Sequence, residues 1–570
     1  RDDIVRRPDL SVQQVTIRNR VGLWLGPILS LIILVFADLD PDRPSVTAMA
    51  AVAVLMATWW ITEAIPIPAT ALLPIVLFPA LGIMRGDSRS ITSAVRAKAD
   101  ANLDSALNNI ADPSGIDILI TGVAKEYMSW LILLFLGGFL IAIAVEKWGL
   151  HKRIALHILL RVGSQPHRLV LGFMMATAFL SMWLSNTATT MMMLPMALSL
   201  IVLYEDLNRE RTESGEEVDS RAGNFPIALM LGLAYGAAVG GIATLIGTPP
   251  NGVLLQQYEA IFPEAPQISF AQWMIFTLPF SVIFMFASWF LVTYVIYPLP
   301  RQSPFSGKGY IRNELKSLGK FSTEEKRVAC VFASVAFLWM TRKTIVLGRP
   351  KDPDAFAIPG WSTLLEDSGV AGLIDDGTVS IGMALLLFAI PAAKKTGGRL
   401  LVWEDARKVP WGILLLFGGG LALAKGFAVS GLSAWIGGQL ESALQGAGNL
   451  GMVAIIIAVV AGLTELTSNT ATAAMALPIV ASLSQAIEVH PLLLMIPATL
   501  ASSCAFVLPV STPPNAIVYG SGRITIMEMI KAGLVMEILA MFLIVVLTFT
   551  MGAITFDLLG EVPDWLSSGP

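Results

Sequence analysis

Two polar strings, Ser185-Asn186-Thr187-Ala188-Thr189 and Ser468-Asn469-Thr470-Ala471-Thr472, interrupt otherwise apolar sequence, and each is followed by a Leu-Pro pair, Leu194-Pro195 and Leu477-Pro478. Hydroxyls and amides offer hard oxygens to a cation and N–H or O–H donors to an anion. Burying three such residues in a row costs several kcal/mol unless each finds a partner. A duplicated cluster of this kind therefore points to a ligand as the partner, rather than to the small-residue packing that a single cluster would equally well explain. Downstream of each string lies a Thr-Pro-Pro-Asn segment, Thr248-Pro249-Pro250-Asn251 and Thr512-Pro513-Pro514-Asn515. Proline lacks a backbone donor and interrupts a helix, and Gly247 before the first pair permits close backbone approach. At such breaks, free carbonyls suit a cation and the amides of the next half-helix suit an anion. No Lys or Arg lies within any of the four motifs. An anion held here would depend on a companion cation such as sodium, so its affinity should fall steeply when that cation is removed.

Other reactive side chains fit less well. Glu465 lies one helical turn before Asn469 and is either a functional carboxylate or a buried partner for a neighbouring hydroxyl or backbone group. Lys425 reads as a structural or snorkelling cation, and Glu63, after Trp59-Trp60 and before Pro66 and Pro68, as a scaffold helix end at an interface. His151, His157, His167 and His490 have no metal spacing, and Met191-Met192-Met193 reads as adaptable packing. Cys330 and Cys504 form no CxxC pair and read as packing residues. No histidine lies near either serine in sequence, and there is neither a nucleophile elbow nor a Walker lysine. A membrane-embedded hydrolase and an ATP-driven pump are therefore disfavoured, as is nucleic-acid binding.

The elements that must position these groups are membrane helices. The chain has 570 residues, 55% hydrophobic and only 14% charged, with a net charge of −4 and a mean hydropathy of +0.69. Runs such as Val21 to Leu39, Val46 to Ile61, Phe270 to Tyr297 and Gly533 to Phe556 can each span a hydrocarbon core, and about eleven crossings are expected. Arg1, Arg6, Arg7, Arg18 and Arg20 place the N-terminus inside, and the first apolar run lacks the features of a signal peptide. Inside segments carry Lys147 to Arg168, Arg301 to Arg327, Lys394 to Lys408, and Arg523 with Lys531. The outside segments Glu259 to Gln267, Gly438 to Asn449 and Asp557 to Pro570 contain no Lys or Arg. Two longer outside loops, Arg85 to Glu126 and Arg342 to Asp376, carry mixed charge, and the C-terminus is placed outside.

The matched landmarks also extend upstream. Phe135-Leu136-Gly137-Gly138 and Gly149-Leu150 stand before the first string as Phe417-Gly418-Gly419-Gly420 and Gly431-Leu432 stand before the second. With stretches 168–203 and 451–486 read as re-entrant hairpins opening from opposite sides, this is an inverted-topology repeat, whose site belongs near the midplane. The predicted organisation is a cytoplasmic segment 1–20, scaffold helices and an outside loop 21–126, a first transport repeat 127–268 with its break at 247–251, and scaffold helices and linking loops 269–409. A second transport repeat 410–529 with its break at 511–515, and a last helix and tail 530–570, complete it. The fold class is an all-α polytopic membrane protein.

These motifs, SNTATTMMMLP and SNTATAAMALP each with its TPPN break, together with WWITEAIPIPATALLP near the start, resemble the divalent anion:sodium symporters over about Val21 to Phe556. The resemblance implies one sodium site from Ser181, Ser185, Asn186 and Gly247 and a second from Thr464, Ser468, Asn469 and Ser511. It implies substrate groups at Ser185, Asn186, Thr187, Ser468, Asn469, Thr470, Thr248 and Thr512. It further implies a homodimer in the plasma membrane whose transport domain moves past a fixed scaffold as an elevator, co-transporting sodium with a di- or tricarboxylate. The double proline after Thr248 resembles bacterial members and favours four-carbon dicarboxylates. Sodium-independent exchange and inorganic oxyanions such as sulfate stay open as alternatives, and a passive channel is disfavoured by the opposed hairpins.

Overall fold

The computed structural model describes residues 16–83, 123–163, 165–300, 308–347, 356–368, 374–393, 397–444 and 448–567. The basic residues Arg1, Arg6 and Arg7 and most of the predicted outside loop Arg85 to Glu126 lie outside these. Eight helices among the described residues are long and apolar enough to span a bilayer, and four more, Ile67–Leu81, Asp376–Ala389, Asn449–Thr464 and Pro491–Ser502, are apolar but shorter. The chain is a helical, multi-pass membrane protein. Among the described residues, extended pairing is limited to a short antiparallel pair, Ile345–Leu347 with Phe356–Ile358, and a single bridge between Pro391 and Arg399.

The first helix, Ile17–Phe36, starts inside the stretch read as an N-terminal segment, because Thr16 and Asn19 cap it reciprocally. Elsewhere, local chemistry likewise sets the ends. Ser322 with Glu325 and Thr525 with Glu528 form capping boxes, and Pro249 and Pro513 open helices at first-turn positions where a missing N–H is harmless.

Both polar strings start a helix after a short break. Helix Pro166–Ser181 is followed by Asn186–Glu213, and Asn449–Thr464 by Asn469–Ala486. Each pair then packs on the next helix in sequence, Asn224–Ile242 in the first half and Pro491–Ser502 in the second. Gly232, Gly236 and Gly240 recur every four residues along Asn224–Ile242. A Cβ at Gly240 would collide with the backbone of Ala178, so this glycine ridge sets how closely helix Pro166–Ser181 can approach. The upstream glycines serve the same purpose: a Cβ at Gly137 would strike Ser380, and one at Gly419 would strike Ala71.

The two halves exchange arms. Pro249–Ile261, which follows the first TPP, packs on Trp411–Ser430 and Asn469–Ala486 of the second half. Pro513–Gly520, which follows the second, packs on Asn186–Glu213 and Asn224–Ile242 of the first. Gln257 Nε2 reinforces the first exchange by donating to the Ala474 carbonyl at 3.1 Å. Of the two cysteines, Cys504 is buried, whereas Cys330 lies exposed on helix Thr323–Thr341. The packing reading therefore applies to Cys504 alone within the chain.

Candidate functional site

Ser185 ends the first break with extended backbone, and its hydroxyl accepts from the Ala188 N–H at 3.2 Å, which starts helix Asn186–Glu213. Asn186 thereby becomes the first helical residue and turns its amide back toward the preceding helix. There, Ser181 Oγ lies 2.6 Å from Asn186 Oδ1 and 2.8 Å from the Ala237 carbonyl. The second half repeats the arrangement. Thr464 Oγ1 lies 2.9 Å from Asn469 Oδ1 and 2.8 Å from the Ser502 carbonyl. In each cluster one hydroxyl proton faces two acceptor oxygens, so at least one acceptor is left for another partner. Ser181 and Thr464 are both 0% exposed while Asn186 and Asn469 are half-buried, so each cluster is a concentration of hard oxygen acceptors reached from one side, chemistry that suits an alkali cation.

The backbone closes in behind the first cluster. A Cβ built on Gly241 would stand 2.5 Å from Asn186 Oδ1 and 3.2 Å from the Gly247 carbonyl, so only glycine leaves that space open. Asn251 organises the break itself, donating from Nδ2 to the Thr244 carbonyl at 2.8 Å and the Ile242 carbonyl at 3.3 Å. Asn515 does the same work in the second half, reaching the Ala505 and Leu508 carbonyls and Ser511 Oγ, each at 3.2 Å. These two asparagines were not among the expected site residues. Their signal was present, since both occupy the fourth position of a TPPN motif.

Glu465 resolves into the backbone partner of the second break. Its Oε1 accepts from the N–H groups of Phe506 at 2.7 Å and Val507 at 2.9 Å, and its Oε2 from Leu508 at 3.0 Å. A carboxylate accepting three consecutive amides acts as a fixed anchor for chain that has left the helix.

One cavity of about 680 Å³ gathers the motifs. All eight residues expected to contact substrate line it: Ser185, Asn186, Thr187, Thr248, Ser468, Asn469, Thr470 and Thr512. Of the other expected cation ligands, Ser511 also lines the cavity, while Ser181, Thr464 and Gly247 stand behind its wall. Pro249, Pro513 and Pro514 add apolar surface from the breaks, Pro410, Ile413 and Leu416 add more from the start of the second repeat, and Ile67 and Pro68 face them from outside the two repeats. Lys425 is not part of this lining, but Glu63 is, which its reading as a helix end did not foresee. No group of three or more His, Cys, Asp or Glu side chains able to hold a transition metal occurs among the described residues.

Residues 26–558 match the family model for the sodium:sulfate symporter transmembrane region. A sodium-dependent dicarboxylate transporter, SdcS, of Staphylococcus saprophyticus is 40% identical over 530 residues, spanning 93% of this chain and 90% of the relative. SdcS of Staphylococcus aureus is likewise 40% identical over 531 residues. Among solved structures, MtrF of Neisseria gonorrhoeae, described with a class of antimetabolite efflux pumps, matches with a TM-score of 0.52. At 15% identity over 86% of this chain and 96% of its own, that is a likeness of fold alone. A duplicated SNT–TPPN architecture converging on one cavity, in a chain matched by that family model almost from end to end, belongs to the divalent anion:sodium symporter family.

Proposed function

We propose that the protein is a secondary active transporter in the plasma membrane. It carries a four-carbon dicarboxylate such as succinate, malate or fumarate into the cytoplasm in symport with sodium. The observation that carries this reading is the convergence of both polar strings and both TPP threonines on one cavity, with a buried oxygen cluster behind each string. In the proposed arrangement, sodium is held by Ser181, Ser185, Asn186 and Gly247 on one side and by Thr464, Ser468, Asn469 and Ser511 on the other. The dicarboxylate sits between them on Ser185, Asn186, Thr187, Thr248 and their counterparts Ser468, Asn469, Thr470 and Thr512. Two cations flanking a dianion make a neutral cargo, which lowers the cost of carrying charge through a low-dielectric barrier. The names of the Staphylococcus relatives support the same cation and substrate class.

The exchange of arms between halves supports an elevator mechanism, because it ties both helix pairs and both broken helices into one body able to move as a unit. The helices outside the two repeats then form the scaffold and the homodimer contact. The repeats are re-entrant and oppositely oriented, with the N-terminus inside and the C-terminus outside. The test is labelled succinate uptake into proteoliposomes, initially empty of substrate, with and without an inward sodium gradient. Gradient-dependent uptake is expected. Uptake that ignores sodium and needs a dicarboxylate-loaded lumen would replace symport by exchange, and inhibition by sulfate in preference to succinate would change the substrate class.

A further inference from the structure

Among the described residues that line the cavity, one carries a charge: Glu63. A lone carboxylate in the binding cavity of an anion carrier requires an explanation. Its partner is Arg18, whose Nη2 lies 3.2 Å from Glu63 Oε1. Arg18 is not part of the cavity lining, so Glu63 is the member of the pair at the cavity, and both side chains are solvent-accessible, at 47% and 41% exposure.

The position of Glu63 is set on several sides. Glu63 closes helix Pro44–Thr62 in the left-handed region, with φ 51°, a conformation that side chains other than Gly, Asn and Asp seldom adopt. Asn19 Nδ2 holds it there by donating to the Glu63 carbonyl at 2.6 Å and the Thr62 carbonyl at 3.2 Å. Gly22 lets the first helix lie against this corner, since a Cβ there would collide with the Thr62 side chain. Arg18 also donates from Nη1 to the Leu466 carbonyl at 3.4 Å, two residues before Ser468. The charge pair therefore spans from the first helix to the edge of the second polar string.

We propose that Glu63, oriented and partly neutralised by Arg18, is a charge filter that sets the preference of this cavity for dianions over trianions. The inference rests on the transport reading above. The Coulomb cost of meeting a fixed carboxylate grows with each negative charge on the substrate. At a separation of about 8 Å and a dielectric constant of about 60, each charge is worth about threefold in affinity. Sodium and the hydroxyl clusters offset the charge of a dianion but leave the third charge of a trianion facing Glu63. Removing Glu63 relieves that repulsion, and removing Arg18 deepens it, so the two variants must move selectivity in opposite directions.

The experiment measures inhibition of sodium-dependent succinate uptake by unlabelled succinate and by the trianion tricarballylate, at mildly alkaline pH where both are fully ionised. Wild type, Glu63→Gln and Arg18→Gln are compared in proteoliposomes. Relative to succinate, tricarballylate should bind about threefold more tightly in Glu63→Gln and about threefold more weakly in Arg18→Gln. A ratio that stays at the wild-type value in either variant, or moves the same way in both, overturns the filter and leaves the pair as a structural tether. A wild type without sodium-dependent succinate uptake would instead overturn the transport reading. Should either variant fail to fold, the wild type still decides the matter: added choline chloride screens fixed charges and should improve tricarballylate affinity relative to succinate. An unchanged ratio across that salt series rejects the filter.

Discussion

The two breaks that present Thr248 and Thr512 to the cavity share a motif and differ in what supports them. The first is short, running from the end of helix Asn224–Ile242 to Pro249, and is held by close approach, with Gly240, Gly241 and Gly247 placed where side chains would collide. The second is longer, from the end of helix Pro491–Ser502 to Pro513, and carries Ala505 and Ser511 where the first has Gly241 and Gly247. It is held by Glu465, which accepts from three successive amides. The position matching Glu465 in the first half is Met182, whose backbone carbonyl merely accepts the Thr244 hydroxyl. The same polar string can thus be mounted on a tight glycine turn, which needs no carboxylate anchor, or on a longer loop, which has one. Substitutions that add volume should injure the first half, and those that remove a hydrogen-bond acceptor should injure the second.

The largest effects should ignore this asymmetry. Asn186 and Asn469 sit in matching oxygen clusters, so Asn186→Ala and Asn469→Ala should each cost about 2–3 kcal/mol of ligand binding, roughly a hundredfold. Sodium-dependent succinate uptake at fixed protein amount checks this. One variant that retains wild-type sodium dependence would make the two clusters unequal in function as well as in support.

How much of this was legible in the sequence follows from how local each feature is. The polar strings, the TPPN breaks and the glycine clusters announce themselves because duplication of a short motif needs no knowledge of folding, and the eight substrate-side residues that the family resemblance implied within them all line one cavity. That Glu465 is a backbone partner was one of two readings the sequence offered, but which backbone it holds was not legible, because its partners lie more than forty positions away, at residues 506–508, in a loop with no motif of its own. The place of Glu63 on the cavity was not legible for a related reason. The helix-end pattern around it is correct, but nothing local says that the corner it forms faces the other end of the chain. The helix bounds drifted where caps outranked hydrophobicity, as at Thr16, whose capping box carries the first helix four residues upstream of Val21.

A comparably large effect, on stability rather than on uptake, sharpens the difference in support. Glu465→Ala would strand three amides at a residue that is itself 7% exposed, a loss of about 3 kcal/mol or more. Glu465→Gln, which keeps one acceptor oxygen, should lose about 1–2 kcal/mol. Thermal unfolding in detergent should rank wild type above Gln above Ala, and hydrogen exchange at 506–508 should rise in the same order while the first break stays protected. Met182→Ala leaves every backbone bond in place and should not raise exchange at 243–247.

Volume gives the converse test. Gly241→Ala would set a methyl 2.5 Å from Asn186 Oδ1, so the sodium concentration for half-maximal uptake should rise about tenfold, the scale of about 1.4 kcal/mol lost at one cation site. Ala505→Gly, the reciprocal change at the matching position, removes no hydrogen bond and should shift that concentration by less than about twofold. Equal shifts in both would mean that the first break is not held by close packing.

The smallest contrast lies in the threonines themselves. Thr512 caps its helix by accepting from the Asn515 N–H at 3.3 Å, whereas Thr248, in nearly the same extended conformation, makes no side-chain cap bond. An N-cap lost to alanine costs about 1 kcal/mol, so Thr512→Ala should lower the unfolding midpoint by about one degree and Thr248→Ala should leave it in place. Both hydroxyls line the cavity, so both variants should still raise the KM for succinate, by about three- to tenfold for one neutral hydrogen bond. A KM change confined to Thr248→Ala would mean that the Thr512 hydroxyl is committed to its cap and that substrate is read from the glycine-built half alone.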